Sequence, residues 1–144
     1  MLTTYLGALA LILGMGFVAW LFSLTRRDVS IVDSLWSLMF LAAALLYAWQ
    51  SPEPGARSAL VGGLVAIWAL RLSIHLTVRN WGEPEDRRYR EIRRNNDPGF
   101  EWKSLYIVFG LQGVLAWIIS IPLLVALTRG GSFHWLDVAA TLLW

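Results

Sequence analysis

From Thr4 to Leu24 the chain runs without a single charged side chain. As a helix at 1.5 Å per residue this stretch reaches about 30 Å, the thickness of a bilayer's hydrocarbon core. No basic residue precedes it, and no small-x-small cleavage site follows. It is also too long for the apolar part of a signal peptide, so it reads as a spanning helix. Three further runs resemble it. Residues 31–49 carry only Asp33 near the start, 59–78 hold Arg71 and His75, and 105–127 hold Gln112 and Pro122. A fifth run, 135–144, supplies about 15 Å, half a span, which gives the expectation that the sequence stops inside a longer protein. The turns "SPEPGAR" and "TRGGSFH" separate the runs.

Composition agrees with this partition. The chain is 57 % hydrophobic and 15 % charged, with mean hydropathy +0.56, whereas about a quarter of a soluble domain is charged. The expected fold is therefore all-α. It is a single polytopic bundle of four spanning helices, about 4–24, 31–49, 59–78 and 105–127, plus the start of a fifth at 135–144. The absence of cysteine excludes disulfides and thiolate metal sites. The net charge is only +2, and the basicity is local, which leaves nucleic-acid binding without support.

That local basicity sets an orientation. The connection after the first run holds Arg26 and Arg27, and loop 79–104 holds Arg79, Arg87, Arg88, Arg90, Arg93, Arg94 and Lys103. The alternate connections hold only Arg57 and Arg129. Such asymmetry places both basic loops in the cytoplasm and the amino terminus outside.

The polar residues inside the runs then fall at definite depths. Arg71 lies about 12 Å and His75 about 6 Å below Arg79, and the three share one helical face with Trp68. Asp33 lies one turn into the second run and Gln112 about 13 Å into the fourth, all from the cytoplasmic side. An arginine at depth costs about 2.5–3.5 kcal/mol on insertion scales, so Arg71 calls for a partner or a wet cavity, unless it snorkels. Asp33 is the candidate partner. Its spacing from Ser30 equally fits a capping box. His75 alone reads as a packing histidine, and Gln112 alone as helix–helix glue.

Loop 79–104 reads as a short interfacial helix. Pro84 suits its first turn, Glu85 and Asp86 its positive end, and Arg93 and Arg94 its negative end. Asp86–Arg90 and Arg87–Glu91 have ion-pair spacing. Tyr89 and Ile92 are then expected to face the bilayer, with Trp81, Phe100 and Trp102 as anchors. Its arginines suit either anionic lipid or bound phosphate, and periodicity does not choose between them.

The segments "SIVDSLWSLMF", "WALRLSIHLTVRNWGEPEDRRYREIRR" and "FGLQGVLAWIISIP" together resemble the amino-terminal half of a bacterial, uncharacterised branch of the steroid 5-alpha-reductase-like membrane proteins. The resemblance rests on Asp33, Trp36, Trp68, Arg71, His75, Arg79, Glu85, Asp86, Arg88, Tyr89, Gln112 and Pro122. It implies an integral membrane reductase, in the bacterial inner membrane, that reduces a carbon–carbon double bond of a lipid-like substrate with NADPH. Carried onto this chain, it implies catalytic roles for Arg71, His75 and Asp33, with Asp33 orienting the other two. Cofactor contacts fall to Arg79, Arg88 and Tyr89, and substrate contacts to Trp36, Trp68 and Gln112. Arg93 and Arg94 are left to lipid association.

Such proteins also have a carboxyl-terminal half with an Asn-Tyr/Phe-x-Gly-Glu motif, which this sequence lacks. The 144 residues alone are accordingly expected to be inactive. Two alternatives are a membrane methyltransferase with a nucleoside cofactor and a non-enzymatic module that binds lipid or a partner.

Overall fold

An uncharged helix can end only where its last carbonyls find donors. In the computed structural model, which describes residues 1–52, 55–129 and 131–144, the first helix, α1 (Leu2–Arg26), ends at the first arginine pair. Arg27 takes a left-handed conformation (φ 53°, ψ 34°), and its N–H donates to the Ser23 carbonyl. The Asp28 N–H reaches the same carbonyl at 3.3 Å. Helix α2 spans Ile31–Trp49 and α3 spans Ala56–Asn80. At the start of α3, the Ser58 hydroxyl accepts from Gly55 N–H (2.9 Å) and donates to its carbonyl (2.8 Å). Of the turns read from the sequence, residues 53, 54 and 130 lie outside the described residues.

The basic loop contains α4 (Arg87–Asn96), capped by the Asp86 carboxylate, which accepts from Arg88 N–H at 2.9 Å. Pro84 and Glu85 thus precede the helix rather than opening it. The fourth apolar run is a composite. It begins earlier than expected with α5 (Phe100–Ser104), passes through a π-helical segment at Leu105–Gly110, and continues as α6 (Leu111–Ile119). A Cβ at Gly110 would lie 3.1 Å from the Leu105 carbonyl oxygen, so the widened turn is built on a residue with no side chain to clash. The helix then breaks at Ser120, and α7 (Ile121–Thr128) follows with Pro122 in its first turn, where a missing N–H costs nothing. Helix α8 (Trp135–Leu143) starts on His134, whose N–H donates to Asp137 at 2.8 Å.

Among the described residues all regular elements are helical, and four helices are long and apolar enough to cross a membrane. Helix α2 is central. In its spanning part 44 % of residues are buried, against 6 % in α3. Helix α1 packs on one side of α2 and α3 on the other, while α6 and α7 close the bundle. At Gly113 a Cβ would meet Ile12 and Leu13 at 3.3 Å, so this glycine permits the close approach of α6 to α1. The central core holds Ile12, Met39, Phe40, Tyr47 and Leu127. There the Tyr47 hydroxyl meets the Ser120 hydroxyl at 2.8 Å. A second core, at the basic-loop end, joins Trp20, Val29 and Val32 to Tyr89, Phe100 and Phe109.

Candidate functional site

The two basic connections are locked together. Glu85 accepts from Val29 N–H at 3.0 Å, and the Asp86 N–H donates to the Ser30 hydroxyl at 2.8 Å. Arg93 grips Glu85 through Nε (3.0 Å) and Nη2 (2.8 Å). It also donates to the Arg27 carbonyl at 3.2 Å and lies 4.5 Å over the Phe100 ring. A second clamp is centred on Asp33. The Tyr89 hydroxyl donates to one of its oxygens at 2.5 Å, and Arg88 Nη2 donates to the other at 2.8 Å. Arg88 Nε bonds Asp86 at 3.1 Å. The sequence places these groups some 55 residues apart, and only docking of α4 onto the start of α2 brings them together.

The electrostatics follow from these contacts. Two hydrogen bonds from Arg88 hold the Asp86 carboxyl below its usual range. Asp86, and then Asp33, keep Arg88 charged beyond its ordinary value, and the Glu85 hydrogen bond does the same for Arg93. Burial raises the Tyr89 phenol above its ordinary value, and the bond to Asp33 raises it further, so it stays protonated and donating.

Several expectations are corrected here. Asp33 neither pairs with Arg71 nor caps α2. The Ser30 side chain makes no cap bond to that helix, and its hydroxyl serves Asp86 instead. Tyr89 is buried and Ile92 packs against the same core, so neither faces lipid. Phe100, 1 % exposed, is core rather than anchor, whereas Trp81 and Trp102 are exposed. Asp86 pairs with Arg88 and not with Arg90, and among the described residues Arg87–Glu91 is not made. Arg93 belongs to the clamp and not to the lipid. For Tyr89, Ile92 and Arg93 the physical reason is shared: the sequence pattern contained a helix with one apolar stripe, and the stripe docked on protein instead of on the bilayer.

Arg71, His75 and Arg79 lie on the exposed part of α3. Among the described residues, Arg71 and His75 have no hydrogen-bond or ionic partner, and Arg79 Nε meets only the Asn80 side chain at 3.2 Å. The Ser37 hydroxyl donates to the Ala69 carbonyl at 3.0 Å, which fixes the register of α2 against α3. Counting from that bond, Arg71 and Trp36 differ in depth by about 2 Å, and His75 lies about 3 Å beyond Asp33 toward the loop. Trp36 packs edge-on against Phe40 (5.0 Å between ring centroids), and Phe40 against Trp68 (5.8 Å). The indole N–H of Trp36 is shielded from solvent and has no acceptor among the described residues. Among the described residues, three donors without acceptors thus fall within about 8 Å of depth, Trp36 on α2 and Arg71 and His75 on α3. Gln112 is not among them, because α6 packs on α1 and α2.

Near the end of α3, Asp28, Ser30, Arg79, Asn80, Glu83, Pro84 and Asp86 line an open cleft of about 310 Å³. Three acids and one arginine make a poor receptor for a pyrophosphate. Arg88 and Tyr89 are engaged with Asp33 and Asp86, so these residues do not by themselves fit a dinucleotide. Among the described residues no group of three His, Asp or Glu is placed to hold a metal. His134 caps α8, which Arg57 ties to the start of α3 through Asp137 at 3.1 Å. It thus sits about 27 Å along α3 from His75.

The family model for the DUF1295 protein of unknown function matches residues 19–144, which takes in both clamps and the α3 donors. The chain belongs to the DUF1295 family. DUF1295 is a steroid 5-alpha-reductase-like family. No curated protein and no solved structure matches the chain.

Proposed function

We propose that this DUF1295 protein serves as a bacterial inner-membrane reductase that saturates a carbon–carbon double bond conjugated to a carbonyl in a lipid-like substrate. The observation that carries the reading is the set of unmatched donors, Arg71, His75 and the Trp36 N–H, within about 8 Å of depth on α2 and α3, where Trp36, Phe40 and Trp68 pack together. A bare arginine inside a membrane segment is costly, and such residues mark substrate pathways. The reaction class rests on the resemblance to steroid 5-alpha-reductase-like proteins. NADPH as hydride donor rests on the resemblance alone, and when bound it would supply the hydride.

The chain's own residues would do the rest. As the β carbon accepts hydride, negative charge grows on the carbonyl oxygen, and a proton taken up from water at the α carbon completes the saturation. Arg71 and His75 stabilise the resulting enolate by donating to that oxygen, as does the Trp36 N–H. The rings of Phe40 and Trp68 seat the apolar body. Asp33 acts indirectly, by fixing α4 against α2.

The test uses the full-length protein in native membranes, with NADPH oxidation followed across a panel of enone lipids. Arg71→Ala is expected to lower turnover by on the order of a hundredfold, the usual effect of losing one oxyanion donor, at unchanged membrane abundance. Wild-type turnover would remove Arg71 from the site. Binding of S-adenosylmethionine with no response to NADPH would replace the reductase reading by a methyltransferase.

A further inference from the structure

Helix α4 has two faces of different chemistry. Tyr89, Ile92 and Arg93 face the protein, and the side chains of Arg88 and Arg93 are engaged with Asp33, Asp86 and Glu85. Arg87, Arg90 and Arg94, spaced three and four residues apart, form the opposite stripe. All three are exposed, and among the described residues none has an acidic partner. Glu91 is the one acid on that side, which leaves a net charge of +2. No apolar residue interrupts the stripe, so it offers nothing to a hydrophobic partner, and like charge opposes a second copy of itself.

The loop's position supplies the occupant. Trp81 follows α3 directly and is 77 % exposed, and Trp102, in α5, is 71 % exposed. The Trp102 ring lies 5.5 Å from that of Trp20 on the spanning helix α1, and the Trp20 indole donates to the Glu101 carbonyl at 2.9 Å. Exposed tryptophans at the ends of spanning helices sit at head-group level. Helix α4, bracketed by them and bonded to residues 27–30, lies at that level too. We infer that Arg87, Arg90 and Arg94 form a docking surface for the phosphates of anionic phospholipids, the guanidinium forks matching phosphate oxygens. Arg88 and Arg93, which a charge count along the sequence would include, take no part. This surface is independent of the reductase reading.

The test reconstitutes the full-length protein into phosphatidylcholine vesicles with trace spin-labelled phosphatidylglycerol or phosphatidylcholine, and compares the protein-bound fractions. Wild type is expected to prefer phosphatidylglycerol by on the order of tenfold at low salt, and less at high salt. The triple variant R87Q/R90Q/R94Q should lose that preference with an unchanged unfolding temperature. The variant R88Q/R93Q should keep the preference while unfolding at a lower temperature. Retained preference in the triple variant overturns the inference, as does its loss in the double variant alone. It is equally overturned if inorganic pyrophosphate raises the unfolding temperature in detergent through the same three arginines, since the surface would then serve a soluble anion.

Discussion

Replacing Glu85 tests the clamp that turns a basic loop into part of the fold. Its side chain is 8 % exposed and that of Arg93 23 %. It accepts from Val29 N–H, a residue itself 3 % exposed. Glu85→Ala removes the acceptor from a buried N–H, at about 1.5–3 kcal/mol for a bond to a charged group. It also strands Arg93, whose loss of a partner would cost about 3–5 kcal/mol if fully buried and less here, because water reaches a quarter of it. The two terms share one side chain and are not additive, so about 3 kcal/mol is expected. Glu85→Gln keeps a carbonyl oxygen for Val29 but loses the charge, at about 1–2 kcal/mol. In amide hydrogen exchange, read on peptides covering 27–32 and α4, the Ala variant should exchange roughly a hundredfold faster than wild type and the Gln variant roughly tenfold. Wild-type protection in the Ala variant would refute the clamp. Equal effects of Ala and Gln would show that the Val29 bond contributes nothing.

Tyr89→Phe keeps the buried ring and deletes the donor to Asp33, so thermal unfolding in detergent should report a loss of about 1–2 kcal/mol. Because the folded-state phenol titrates above its ordinary value near 10, its contribution is whole below pH 10. Above that pH the unfolded chain ionises first and stability falls, so α4 should loosen in alkali together with tyrosinate absorbance, and less steeply in Tyr89→Phe. Ser120→Ala leaves the buried Tyr47 hydroxyl without its partner at the break before α7. A loss of about 1–3 kcal/mol is expected, visible as a lower unfolding temperature.

The four spans were legible because each is a run of apolar residues long enough to cross a bilayer, and that property needs no partner. The ends of α2 matched within the resolution of such reasoning, and so did the existence of α4. The break at Ser120 and the π-helical segment were not foreseen. Pro122 and Gly110 marked both places, but a proline or glycine permits a distortion without requiring one. The clamps were half legible. Asp33, Glu85, Asp86, Arg88 and Tyr89 were each singled out, but in separate roles, and their pairing could not be read, because the charges of loop 79–104 suit several geometries at similar energy. The Trp36 N–H had no sequence signal as an unmatched donor. Only packing against Phe40 separates it from water.

Taken alone, the sequence determined that this chain is a membrane bundle with one basic side, since hydrophobic length and charge asymmetry are sums over residues and survive any arrangement of the helices. The tertiary structure decided which arginines are free. Docking of α4 onto the α1–α2 connection brings Asp33 and Glu85 within 3 Å of cations 55 and 8 residues away in sequence, respectively. Coulomb attraction over that distance, away from water, then assigns Arg88 and Arg93 to the fold. Arg87, Arg90 and Arg94 are left exposed, and among the described residues Arg71 and His75 stand without partners on α3.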